Sequence, residues 1–170
     1  MLIVLGGLPG VGKTTIAREL ARQLGAVHLR IDSIEQAIRQ SGVVAVSLDD
    51  AGYRVAYAVA EDNLRLGATV IADSVNPWPI TRDAWRAVAE RAAMPAVEIE
   101  VTCHDPAEHR RRVEARALSD GGPTWHDVVT RDYRPWHGPH IVIDTGGRPT
   151  EESVALIRQR LEASRLRPGV

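Results

Sequence analysis

One eight-residue stretch, Gly7-Leu8-Pro9-Gly10-Val11-Gly12-Lys13-Thr14, restricts this chain more than any other part of it. An apolar run from Leu2 to Leu5 leads in, and a helical pattern beginning near Lys13 leads out. The order strand, glycine loop, helix with the spacing G-x-x-x-x-G-K-[ST] is that of a phosphate-binding P-loop. Glycines in such a loop let backbone N–H groups turn inward around phosphate oxygens, and the following helix adds its N-terminal partial positive charge. The expected cradle is Leu8, Pro9, Gly10, Val11, Gly12, Lys13, Thr14 and Thr15. Lys13 reaches the terminal phosphates and the Thr14 hydroxyl is placed to ligate Mg²⁺. Composition adds to this: the chain has 21 lysines and arginines together, and Lys13 is the only lysine. A sequence that uses arginine for every other cation keeps a compact, flexible ammonium here, where a planar fork fits poorly.

Downstream, Ile16, Leu20 and Leu24 repeat at helical spacing until Gly25. Ala26 to Ile31 reads as a strand ending at Asp32, and Asp32 or Ser33 can cap a helix with Glu35 in a capping box and Ile34, Ala37 and Ile38 buried. Ser41 to Leu48 is irregular, and a long helix follows from about Asp49 to Leu66 with Val55, Val59 and Leu64 inward. Ala68 to Ala72 is a nearly unbroken apolar strand that delivers Asp73 into the turn Ser74-Val75-Asn76-Pro77-Trp78-Pro79. A helix spans about Arg82 to Ala93 and a strand Ala96 to Thr102. Asp105-Pro106 then opens an arginine-rich helix containing Arg110, Arg111, Arg112 and Arg116. Thr124 caps a short helix near Trp125 to Arg131, with Asp127 three residues on. Ile141 to Ile143 is the last strand, and a helix from Thr150 turns Val154, Ile157 and Leu161 inward. Five apolar strands alternating with helices predict an α/β domain with a parallel sheet whose ligands gather at the strand carboxyl ends.

Length and charge narrow the reading further. At 170 residues without repeats or linkers, a single domain over residues 1–170 is expected. A formal charge of −1 gives no global basic field, so strong nonspecific binding to nucleic acid or an anionic membrane is not expected. Cys103 is the sole cysteine, and no apolar stretch approaches a membrane span, which points to a soluble, cytoplasmic protein. His104, His109, His126, His137 and His140 lie in no metal-ligand spacing, and Cys103 lies in no nucleophile motif.

The P-loop, the strand-end pair Asp32-Ser33, the turn Ile71 to Pro77 and the arginine helix through Arg112 and Arg116 together resemble the small P-loop kinases. Those related to nucleoside monophosphate, shikimate and gluconate kinases share these landmarks. The likeness is greatest to the AAA_33-type group of chloramphenicol phosphotransferase, zeta-toxin-like kinases and polynucleotide 5′-kinases. The resemblance implies a three-layer P-loop NTPase fold with a five-stranded parallel sheet and a short helical lid over about 106–136. It also implies ATP as phosphoryl donor and Mg²⁺ as the accompanying ion.

By the same resemblance, Lys13, Asp32, Arg112 and Arg116 form the catalytic set. Arg112 and Arg116 close on ATP, and Arg112 also contacts the nucleotide; a solvated helix face is the alternative use of both. Asp32 accepts or orients the acceptor hydroxyl, or merely caps its helix. Asp73 contacts Mg²⁺, with Thr14, or the acceptor, unless it only forms its turn. Arg30, Asn76 and Arg131 are candidates for the acceptor pocket, and Trp78, Trp125 and Trp136 are open to stacking or to packing. Adenine is expected near Thr145 to Pro149. The implied reaction is transfer of the γ-phosphate to a hydroxyl of a small molecule such as an antibiotic, sugar or nucleoside. A nucleic-acid 5′-hydroxyl acceptor, gripped by Arg110 to Arg112, and a nucleotide switch or ATPase without acceptor are the alternatives.

Overall fold

The structure is a computed structural model, and it describes residues 1–42, 50–120 and 122–165. In chain order the elements are β1 (Leu2–Gly6), α1 (Lys13–Leu24), β2 (Val27–Arg30), α2 (Ile31–Gln40), α3 (Ala51–Arg65) and β3 (Val70–Asp73). They continue with α4 (Pro79–Arg91), β4 (Ala96–Thr102), α5 (Pro106–Asp120), α6 (Trp125–Val129), β5 (Ile141–Asp144) and α7 (Thr150–Arg165). The five strands make one parallel sheet in the order β2-β3-β1-β4-β5.

Continuous apolar runs suit strands covered on both faces, and β1 and β3 are buried along their whole lengths. Alternation then divides the core. Ile3, Leu5, Ile71, Ile99 and Ile143 face Ile16 and Leu20 of α1 and Val154 and Ile157 of α7. Leu2, Val4, Val70 and Ala72 face Ala56, Ala60 and Leu64 of α3 and Trp85, Val88 and Ala89 of α4. Because β1 sits between β3 and β4, the chain first builds the sheet to one side of β1 and then to the other. The crevice at that reversal is where the P-loop emerges, and it lies at the strand carboxyl ends.

Two sequence expectations change. Strand β2 stops at Arg30, and Ile31, 2% exposed, enters the core as the first residue of α2. Asp32 therefore stands in the first turn rather than at a cap; the N-cap is Arg30, with no side-chain cap bond, and Ala37 is exposed. Helix α3 buries Leu64 as expected, but Val55 and Val59 face solvent, while Gly52, Ala56 and Ala60 are buried. The reason is steric. A Cβ at Gly52 would stand 2.4 Å from Cγ of Glu35 on α2, so only small side chains let these helices come so close. Asp105 caps α5, accepting from the N–H groups of Ala107 and Glu108, and a full capping box joins Thr124 and Asp127 at α6, both as expected. The irregular segment lies outside the described residues over 43–49.

Candidate active site

The P-loop follows β1 and is wound by three glycines at positive φ: Gly7 (138°), Gly10 (85°) and Gly12 (98°). At Gly7 no other residue fits, since a Cβ would stand 2.2 Å from the carbonyl oxygen of Val101. Lys13 folds back over the loop and donates to the Leu8 carbonyl at 2.9 Å. It is 8% exposed, and burial pulls its ammonium from the ordinary 10.5 down to about 8, against the attraction of Asp73 and Asp32.

Above the loop lies a cleft of about 510 Å³, walled by Gly10, Gly12, Lys13, Thr14, Arg30, Arg112, Arg116, Thr145 and Arg148, among others. The crowding of cations around one loop gives the cleft a chemistry suited to an anion. Helix α5 supplies two of them by its periodicity. Arg112 donates to the Thr145 hydroxyl at 2.9 Å and carbonyl at 3.1 Å and pairs with Glu108. Arg116, one turn on, reaches Asp32 at 3.4 Å. Arg110 instead turns outward to Glu114, and the Arg111 side chain is 77% exposed. The four arginines thus divide into two that face the cleft and two that do not.

The carboxylates expected at the site differ in setting. Asp73, at the end of β3, is 3% exposed. Burial alone would raise its carboxyl, but bonds from His28 and Thr14 and the charge of Lys13 hold it below the usual carboxylate value. His28 lies on β2 next to β3, with Nε2 3.1 Å from Asp73 Oδ2. Thr14 and Asp73 therefore meet at the loop as two adjacent hard oxygen donors, the kind a small divalent cation takes alongside water and phosphate oxygens. Asp32 is half exposed and receives Arg30 at 2.8 Å as well as Arg116, both on Oδ2. Arg30 lines the cleft, and its Nε is buried without a partner among the described residues. Arg131 is exposed, and its charge reaches Lys13.

Asn76 is elsewhere. It was expected to face the acceptor, but it is fully buried at φ 48°, and its amide donates to the Leu5 carbonyl at 2.8 Å, fastening the turn after β3 to β1. Of the tryptophans, Trp136 packs over Gly6, where a Cβ would stand 2.2 Å from the indole, and Trp125 stands edge-on to His109. Trp78 stays 46% exposed, its N–H on Asp132 at 3.0 Å.

Two residues that local pattern gave no reason to single out organise this rim. Arg82 is 2% exposed and donates to four carbonyls: Asn76 (2.9 Å), Pro77 (3.2 Å), Arg134 (2.6 Å) and Pro135 (2.8 Å). Its guanidinium lies 4.4 Å from the centre of the Trp136 ring. His109 on α5 meets the Pro9 carbonyl of the P-loop at 2.7 Å. The only sequence signal for His109 is its position three residues before Arg112 on the same helix face.

Among the described residues, no helix is long and apolar enough to cross a membrane. Comparison with known proteins gives consistent relatives. The AAA_33 family model, described as an AAA domain, matches residues 2–132. The probable adenylyl-sulfate kinase of Aeropyrum pernix is 27% identical over 180 residues, spanning 96% of this chain and 93% of that protein. A sugar kinase from Janibacter sp. HTCC2649 superposes with a TM-score of 0.68 at 17% identity, covering 95% of this chain and 94% of the other. The APS kinase of Mycobacterium tuberculosis, solved with AMPPNP and APS, does so with a TM-score of 0.64 at 19% identity, covering 95% and 96%. At these identities the two structures speak for the fold.

Proposed function

The chain belongs to the AAA_33 family of P-loop kinases, and on that premise we propose that it transfers the γ-phosphate of ATP to a hydroxyl of a small acceptor. The observation that carries this reading is the convergence of Lys13, Arg112, Arg116 and Arg30 on one cleft, with Asp32 held by Arg30 and Arg116. Phosphoryl transfer passes through a transition state with charge spread over the migrating group, so fixed cations and alignment do most of the work. In this reading the P-loop amides and Lys13 hold the β- and γ-phosphates. Arg112, tied to Thr145, is set on the nucleotide side, and Arg116 spans from the donor to the acceptor side. Thr14 and Asp73 would hold Mg²⁺, which neutralises phosphate charge when bound. Asp32 orients the acceptor hydroxyl: both guanidiniums bind its Oδ2, which leaves Oδ1 for the hydroxyl. Arg30 and Arg131 supply cations for an anionic group on the acceptor. We also take residues 1–170 as one kinase domain with 106–136 as its lid.

Adenylyl sulfate heads the list of acceptors because a relative that matches nearly the whole chain is named as a probable kinase of that compound. A nucleic-acid acceptor has less support, since Arg110 and Arg112 point in different directions and form no single phosphate-gripping patch.

The test is ADP release with Mg²⁺ and ATP across adenylyl sulfate, gluconate, AMP, aminoglycosides, amphenicols and a 5′-hydroxyl oligonucleotide, with product masses recorded. One acceptor is expected to gain one phosphoryl group. Lys13→Ala, Arg112→Ala and Arg116→Ala should each lose about 10²-fold or more, and Asp32→Ala about 10²-fold. Arg110→Ala and Arg111→Ala should stay within about twofold, as exposed ion pairs contribute little. ADP release that needs no acceptor would instead favour a nucleotide switch.

A further inference from the structure

A loop that gathers its N–H groups around an anion has to turn its carbonyls outward, and a carbonyl turned into the protein needs a donor there. Three carbonyls of this P-loop have side-chain donors. Leu8 is met by Lys13 Nζ at 2.9 Å, Pro9 by His109 Nε2 at 2.7 Å and Val11 by the Thr145 hydroxyl at 2.8 Å. Two of these are shared or temporary. Lys13 is the group that a bound phosphate recruits, and the single proton of Thr145 also faces the Thr102 carbonyl at 3.0 Å. The bond from His109 is undivided. The acceptor is a carbonyl, so the ring nitrogen facing it carries the hydrogen.

The surroundings leave this contact little play. His109 is 6% exposed, its ring set at 90° to Trp125 with centroids 5.2 Å apart. A Cβ on Gly10 would stand 2.4 Å from Val113 and 3.3 Å from the His109 ring, so loop and helix are in tight contact along this line. His109, Arg112 and Val113 occupy one face of α5 at spacings of three and four. Arg112 in turn binds Thr145, and Thr145 binds Val11. A closed circuit results: P-loop to His109, along one turn of helix to Arg112, and back to the P-loop through Thr145.

We propose that His109 is a positioning residue for nucleotide binding, which fixes the Pro9 turn of the P-loop and sets Arg112 against the same phosphate site. This rests on the nucleotide reading of the preceding subsection. Without the bond the Pro9 peptide is free to rotate, and the N–H groups beside it lose their common aim.

The full-length chain is tested with Mg²⁺ and ADP as the probe, by calorimetric titration and thermal melting. His109→Leu keeps the bulk without a donor, and His109→Gln places an amide N–H near the position of Nε2. The Leu variant should bind ADP about tenfold more weakly, the size of an effect near 1.4 kcal/mol, and the Gln variant should bind within about threefold of the parent. A Leu variant that melts lower yet binds ADP as tightly as the parent would show a packing role only and overturn the proposal. So would a folded Gln variant as weak as the Leu variant. If His109→Leu does not fold, Gln against Asn decides the same point, because the shorter Asn amide falls short of Pro9. A parent chain that binds no ADP would defeat the kinase reading itself, an outcome distinct from any of these.

Discussion

Lys13 keeps its charge in a place that resists it. Its value near 8 in the fold against 10.5 in the open chain means that the unfolded state binds more protons between those two limits. Stability therefore rises with pH across that window, while below pH 8 the full penalty of the buried ammonium, about 3 kcal/mol, is present. Lys13→Met should abolish turnover yet raise the Tm at pH 7 by several degrees. That gain should shrink toward nothing as the pH is carried from 8 to 10.5, which melting curves of both proteins at a series of pH values would check. Nucleotide affinity should run the other way, flat below pH 8 and falling above it as the lysine loses its proton. The sequence named Lys13 because its role is written in the spacing around it. It misassigned Asn76, whose type and position suit an exposed turn, because nothing nearby in the chain announces the Leu5 carbonyl, 71 residues away, that its amide meets.

Between elements, two loop segments are held together by a single buried guanidinium. Arg82 ties the turn after β3 to the segment after α6, and the Arg134 N–H to the Pro77 carbonyl at 2.8 Å runs alongside it. Arg82→Met would leave four carbonyls without their donor. A loss of about 3 kcal/mol, or roughly 6–12 °C in Tm, is expected. ADP affinity should stay within about twofold, since the hydrogen bonds of Arg82 all go to residues outside the P-loop, and calorimetry on the variant would show it. Within α5, the periodicity of the arginines was evident from sequence, but which of them faced the cleft depended on distant partners, Thr145 for Arg112 and Asp32 for Arg116, while Glu114 holds Arg110 outward. In α3 Leu64 was placed correctly and the two valines were not, because the packed face carries Gly52, Ala56 and Ala60, and at Gly52 any Cβ would meet Glu35.

Across the whole molecule, what could be read in advance is what the chain encodes locally: apolar runs for five parallel strands, glycines for the loop, caps at Asp105 and Thr124. What could not be read is where distant segments meet, as in the His109 and Arg82 contacts that give the rim its shape. The net charge of −1 also conceals the arrangement, since a nearly neutral chain gathers Lys13, Arg30, Arg112, Arg116 and Arg148 around one opening. One of those cations is chemically unlike the rest. Arginine does not acylate under mild conditions, so among the side chains an amine-directed ester finds one amine, the ε-amine of Lys13. At pH 8 about half of the Lys13 side chains are uncharged nucleophiles. A small activated ester should therefore silence the protein by a single covalent hit that peptide mass mapping assigns to residue 13, and Mg²⁺ with ADP should shield it. With one lysine among its side chains, the chain offers a single amine there as a reporter of its own nucleotide occupancy.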